Sequence, residues 1–260
     1  KGNHSGGAIR SAELPMDGPD VEILFQDEHC LVVNKPPGVL TQAPPGIDSL
    51  EVRVRAWLQR RSPETAKVYL GVPHRLDRPV SGAILFALNR RAAQRLSAQF
   101  EKRTVQKLYW ACLQGRVEPA EGVWKDFVRK VPDQPRAEIA PMEHPEALYA
   151  VLHYRVLGYL DWGSWVEIRL DTGRYHQIRI QAASRGHPVL GDEQYGAHLP
   201  FGPPAADVRE QPIALHARTL IFHHPKSKQS VFVRAPLPNC WKELQLPEIL
   251  SSIADPPCDP

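Results

Sequence analysis

Cysteine is sparse in this chain. Its 260 residues hold four, Cys30, Cys112, Cys240 and Cys258, with no C-x-x-C pair and no ligand-like spacing. That pattern excludes a disulfide framework and suits small thiols in a reducing compartment. Long apolar runs are also missing: none approaches the length of a membrane span, and the amino terminus lacks a signal-peptide core. No membrane partner is expected, and a cytoplasmic location is. The eleven histidines show no H-x-x-x-H or H-E-x-x-H spacing, which argues against a metal site. Neither charge dominates. A net charge of +3 and a pI near 8.7 permit nucleic-acid binding without requiring it. The chain shows no internal repeat, and it opens Lys1-Gly2-Asn3-His4 without a methionine, which leaves room for an upstream segment.

What is present reads as a soluble globular protein: 42% hydrophobic and 23% charged residues, on a length that can bury a large core. Residues 1–20 are Gly-rich and polar without periodicity, and are expected to form a flexible lead-in. Strands are expected near 21–25, 30–35, 83–88, 107–113, 148–157, 164–171, 213–222 and 230–234, with a hairpin or loop over 125–147. Pro36-Pro37-Gly38 stops the second strand. Ser49 is placed to cap a helix with Leu50, Val54, Trp57 and Leu58 on one face, and Asn89 to cap another running to about Arg103. A short helix is expected from Thr172-Gly173 to Gly186. This irregular interleaving predicts an α+β fold with a mixed, largely antiparallel central sheet flanked by helices and loops. One domain is expected over residues 21–243, with a tail over 244–260.

Two constellations carry chemistry. In His74-Arg75-Leu76-Asp77-Arg78-Pro79-Val80-Ser81-Gly82 a carboxylate lies between two arginines, just before a buried apolar strand. The guanidinium groups favour a charged, acceptor-only Asp77, suited to act as a nucleophile or electrostatic partner and poorly suited to be a general acid. By itself, an R-x-D-R is more often an ordinary loop. In Thr172-Gly173-Arg174-Tyr175-His176-Gln177-Ile178-Arg179, donors gather at a strand-to-helix junction. Free N–H groups there, beside Arg174 and Arg179, suit a phosphate or carboxylate, and His176 and Arg179 fall on one helical face. A helix start with a structural histidine is an equal reading.

Taken in order, these motifs resemble the RluA-type RNA pseudouridine synthases. Ile23 through Pro36 is similar to the family's entry strand. His74 to Gly82 matches its His-Arg-Leu-Asp-x-x-x-Ser-Gly, and Lys107-Leu108-Tyr109-Trp110-Ala111 its Lys-x-Tyr-x-Ala strand. Thr172 to Arg179, with Gly186 through Asp192 and Tyr195-Gly196, matches its longest signature. Leu215-His216-Ala217, His224-Pro225 and Ala235-Pro236-Leu237 complete the order. Two positions depart from the pattern: Val80 replaces a common threonine, and Gln181 stands where many members carry a histidine.

The resemblance implies isomerisation of uridine to pseudouridine in structured ribosomal or transfer RNA, without cofactor or metal. The target base would be flipped from its stack. It implies Asp77 as the essential carboxylate at the ribose, by covalent addition or a glycal-type route, with Tyr109 against the uracil and Arg179 paired to Asp77. Arg75 would brace the opened RNA. Lys35, Arg78, Lys107, Arg174 and His176 are further RNA-binding candidates, with Arg53, Lys102 and Arg103 as possible phosphate contacts. A monomer is expected. The alternative is a catalytically inactive RNA-binding or RNA-folding module of the same fold; intact Asp77, Tyr109 and Arg179 argue against it. A hydrolase reading is disfavoured, because no second Asp or Glu stands in a comparable motif to act as acid.

Overall fold

The structure is a computed structural model that describes residues 21–62 and 68–247. The lead-in expected over 1–20 lies outside the described residues, as does most of the expected tail. Ten strands form one sheet: β1 (Ile23–Gln26), β2 (Cys30–Lys35), β3 (Ser81–Ala87), β4 (Gln106–Gln114), β5 (Glu121–Lys130), β6 (Ala137–Ile139), β7 (Leu148–Leu160), β8 (Gly163–Leu170), β9 (Leu215–His223) and β10 (Ser230–Arg234). Their order is β1-β2-β3-β9-β4-β8-β7-β5-β6, with β10 paired to β9. Neighbours run antiparallel except β3 and β9, which meet in parallel where Ser81 faces His216 and Gly82 faces Ala217. The helices are α1 (Leu50–Arg61), α2 (Arg90–Glu101) and α3 (Gln177–Ala183), with short 3-10 turns elsewhere. This is the expected α+β fold with a largely antiparallel sheet.

Residues of alternating direction on β2 and β3 divide the core between the two faces of the sheet. Leu31, Val33, Ile84 and Phe86 pack with Leu50 and Val54 of α1 on one face. Cys30, Val32, Ala83 and Leu85 pack with Ala92 and Leu96 of α2 on the other. Both helices begin where the sequence placed a cap. The Ser49 hydroxyl accepts from the Val52 N–H at 3.3 Å, and the Asn89 side-chain oxygen accepts from the Ala92 N–H at 2.9 Å. Each such cap stabilises its helix by ~1 kcal/mol. Cys30, Cys112 and Cys240 are free thiols; Cys258 lies outside the described residues.

The parallel junction of β3 with β9 depends on Gly82. Its φ is +118°, and a Cβ there would stand 2.3 Å from the Ala217 carbonyl oxygen. Only glycine combines that backbone conformation with so close an approach. The junction puts the segment before β3 beside β9, and β9 beside β4 and then β8. Residues far apart in sequence thereby meet across the middle of four adjacent strands: Ser81 faces His216, His216 faces Trp110, and Trp110 faces Glu167.

Two expectations need correction. The residues after β8 do not enter a helix at Thr172: Gln177 accepts from the Arg174 N–H and the Thr172 hydroxyl through its side-chain oxygen, holding a turn, and α3 begins only at Gln177. The expected tail does not begin at Leu244, because Leu244 and Leu246 pack against the main core.

Candidate active site

Asp77, Tyr109, Arg179, Arg75, Arg78, Lys107, Arg174, His176 and Arg103 line a single cleft of about 1240 Å³, whereas Lys35, Arg53 and Lys102 do not. A small-molecule pocket occupies roughly 300–1000 Å³, so the cleft has room for a nucleotide and part of its strand. Asp77 lies in the loop before β3, and three backbone clamps fix it. Thr41 donates to the Leu76 carbonyl at 2.9 Å and accepts from the Leu76 N–H at 3.1 Å. The Val80 N–H bonds the Asp77 carbonyl at 3.1 Å, and the Gly38 N–H bonds that of Arg78 at 2.8 Å.

Arg179 is the centre of the polar network. Its side chain is 4% exposed, and it forks onto Asp192 through Nε at 2.6 Å and Nη2 at 2.8 Å. Nη2 also donates to the Gln194 side chain at 2.8 Å, and Nη1 to His176 Nε2 at 3.2 Å. Arg179 was expected to pair with Asp77. Nη1 stands 3.6 Å from Asp77 Oδ2, an ion-pair distance without a hydrogen bond, and the closer, hydrogen-bonded pair is with Asp192. Burial works against the Arg179 charge, but the hydrogen bonds and charge of Asp192, together with Asp77, keep it firmly protonated.

His176 is not on a helical face with Arg179. It precedes α3 in a left-handed conformation, φ +51°, which turns its ring back under the arginine. Because Nη1 of Arg179 can only donate, His176 Nε2 must be unprotonated, and Nδ1–H then faces the Tyr195 hydroxyl at 2.8 Å. Burial brings its pKa down to about 4 against the opposing pull of Asp77, so this histidine is neutral near pH 7. Its 3.7 Å approach to Asp77 is therefore not an ion pair at that pH.

Tyr109, on β4, is 8% exposed, and burial followed by the Asp77 charge holds its phenol protonated. Arg75 is exposed at the cleft, with no ion pair to any described residue. Arg174 is held by a 2.9 Å bond from Nε to the Tyr149 carbonyl.

One expected RNA contact is corrected, and two others have partners within the protein. Lys35 is fully buried: its ammonium donates to the carbonyls of Pro36 and Arg78 at 3.0 Å each, behind the Asp77 loop. Burial brings its pKa down to about 7, opposed by Asp77. Arg78 lines the cleft, reaches the Gly38 carbonyl at 3.0 Å and pairs with Asp207 and Glu210. Arg53 is bound to Asp48.

Outside the cleft, Asp27, Cys30 and His224 offer ligand atoms within 4.8 Å of one another. Sequence spacing hid this group. Its members satisfy each other: His224 Nδ1 accepts from the Lys226 and Ser227 N–H groups, which leaves Nε2–H to donate to Asp27. Burial and the Asp27 charge raise the Cys30 thiol to about 12.

The family described as RNA pseudouridylate synthase matches residues 29–184, which include Asp77, Tyr109 and Arg179. The dual-specificity RNA pseudouridine synthase RluA of Escherichia coli K12 is 34% identical over 224 residues, 85% of this chain and 95% of that protein. The chain belongs to the RNA pseudouridine synthases. Ribosomal large subunit pseudouridine synthase D of Xylella fastidiosa is 34% identical over 237 residues, 88% of this chain and 70% of its own. The fold is shared with human RNA pseudouridylate synthase domain containing 4, at TM-score 0.68 and 24% identity, covering 84% of this chain and 89% of that one.

Sequence reasoning assigned this synthase no role for Asp192, Gln194 or Tyr195. A signal was available, since a buried arginine needs a carboxylate, and Gly191-Asp192 stands in the matched signature. Gly191 sets the geometry: at φ +82°, a Cβ would come 2.6 Å from the Pro212 carbonyl. The two departures are also placed. Val80 is buried, and Gln181 donates to Asp126 at 2.6 Å on the side of α3 away from the cleft.

Proposed function

We propose that this synthase flips a uridine out of structured ribosomal or transfer RNA into the cleft and isomerises it with Asp77 as the essential carboxylate. The observation that carries this reading is the Asp77–Arg179–Asp192 arrangement. A carboxylate stands 3.6 Å from a buried guanidinium whose charge is already anchored on its far side, within a cleft larger than a small molecule needs. Breaking the N-glycosidic bond develops positive character at the ribose anomeric carbon, and a carboxylate there stabilises it, as in glycosidases. Either a covalent bond from Asp77 or a glycal-type route satisfies this geometry.

The uracil must then turn so that its C5 replaces N1 at the sugar, and the C5 proton must leave. Tyr109 forms the wall against which the ring would rest. Its hydroxyl has no partner among the described residues and is free to meet the base. A phenol held protonated serves there as a neutral donor or acceptor, not as a phenolate base. Extrusion of the base costs a few kcal/mol, and Arg75 at the rim is placed to fill the vacated space. The Xylella relative is named for the ribosomal large subunit and the Escherichia coli relative for dual specificity on RNA, which supports an RNA substrate here and makes ribosomal RNA a candidate.

Tritium release from uracil-5-labelled RNA tests the reading. Wild type should release label on transfer or large ribosomal RNA, and Asp77→Asn should lose the activity by at least a thousandfold while still binding RNA. Equal release by both proteins refutes the role of Asp77. RNA binding with no release by wild type favours the inactive binding module.

A further inference from the structure

Arg103, Lys107, Arg174 and His74 line the same cleft as the Arg179–Asp192 pair. None of Arg103, Lys107 or Arg174 forms an ion pair with a described carboxylate, whereas Arg78, Arg179 and Arg209 of the same cleft do. Glu101 also lines the cleft and is unpaired, with no contact to the cations. The cations stand close enough to oppose one another's charge. Burial, then Arg103, lowers the proton affinity of both Lys107 and Arg174. Clustering three cations that no described carboxylate pairs is unfavourable unless an anion completes the site.

Local chemistry shapes this part of the cleft further. The backbone opposite Lys107 is Gly173, where a Cβ would lie 3.1 Å from the ammonium nitrogen; the missing side chain is what gives Nζ its room. The Arg174 bond to the Tyr149 carbonyl fixes where that guanidinium points. His74 stacks on Phe100 with ring centres 4.5 Å apart, and its Nε2 accepts from the Leu85 N–H at 2.9 Å. That bond fixes the tautomer, so Nδ1 carries the proton and is a donor with no partner among the described residues. Burial, with Lys107, brings the His74 pKa down to about 3, so the donor is neutral at working pH. A neutral N–H beside three cations suits an oxyanion that accepts several hydrogen bonds at once.

We propose that Arg103, Lys107, Arg174 and the Nδ1–H of His74 form a subsite for one backbone phosphodiester of the RNA, next to the flipped uridine. The subsite rests on the synthase reading and fixes where the strand must run. The flipped nucleotide enters between Asp77 and Tyr109, and a neighbouring phosphate docks against the α2–β4 corner.

Affinity for bulk transfer RNA and for large-subunit ribosomal RNA, measured against salt in an Asp77→Asn background, tests it without depending on turnover. Lys107→Met keeps the aliphatic stem and removes the charge. It should weaken binding roughly tenfold and make the log–log salt slope shallower by about 0.7–0.9, the signature of one lost phosphate contact. Gly173→Ala removes no charge but crowds Nζ, and should weaken binding in the same direction with a smaller change in slope. Thermal unfolding of both variants separates this from misfolding. Unchanged slopes in folded Lys107→Met, with wild type still releasing tritium, overturn the subsite and leave the synthase reading standing. No tritium release by wild type, with the slope change intact, overturns the synthase reading and leaves an anion subsite.

Discussion

Replacing Asp192 by asparagine probes the network around Arg179 most directly. The side chains of Arg179 and Asp192 are 4% and 2% exposed and share two hydrogen bonds of 2.6 and 2.8 Å. Removing one member of a buried pair leaves the other charged and desolvated, which typically destabilises by about 3–5 kcal/mol. Each kcal/mol lowers the unfolding midpoint by roughly 2–4 °C in a domain of this size, so Asp192→Asn should fall by about 10 °C. Urea and thermal melts would measure it. The informative partner is Arg179→Met with Asp192→Leu, which removes both charges together. That double variant should regain most of the lost stability, because no unpaired charge remains buried, yet it should release no tritium. A loss below ~1 kcal/mol for Asp192→Asn would refute the reasoning, since that is the scale of a solvent-exposed pair. A double variant no more stable than the single one would refute it equally.

Two further outcomes follow from the frame of the site. Lys35 has a folded pKa of about 7 against an ordinary value of 10.5, so the unfolded chain binds more protons between those limits. Wild-type stability should therefore gain up to roughly 1.4 kcal/mol per pH unit from this group as pH rises from 7 towards 10, and the gain is absent below pH 7. Urea melts of wild type and Lys35→Met across that window should differ in slope by this amount; parallel curves would show that the buried amine titrates normally. Gly82→Ala places a Cβ 2.3 Å from the Ala217 carbonyl oxygen at φ +118°, and should destabilise by at least ~3 kcal/mol through strain and overlap. A melt within 1 kcal/mol of wild type would mean that the β3–β9 junction can relax.

Local features of the fold were legible in the sequence because they depend on near neighbours. Ser49 and Asn89 cap helices through residues three positions on, and the β2 and β3 runs show their strand character in their own side chains. Lys35 was misread although its signal was present. Residues 31, 33 and 35 share one face of β2, and Leu31 and Val33 belong to the core, so the alternation placed the lysine inward. Lysine is almost never fully buried, so residue type and period pointed in opposite directions. Insertion of β9 between β3 and β4 had no local signal, since it brings residues 81–82 and 106–111 against a strand more than a hundred positions away. The Asp192 anchor had a signal in the matched signature, but it lies 13 positions from Arg179, beyond the reach of helical spacing. His176 was misplaced because one left-handed residue reverses a direction that helical spacing assumes.

Arg179 has five N–H groups, and four are already assigned: two to Asp192, one to Gln194 and one to His176. The fifth is left for Asp77, at a distance where it steers without gripping. The two carboxylates on either side of this guanidinium are thus held unequally, one moored and one tethered. A moored carboxylate could not swing towards a sugar without dismantling the core behind it. The tethered one can rotate and return, and the inequality of the two grips decides which aspartate is available for chemistry. Lysine, with three donors and no planar fork, could not reproduce that division of contacts.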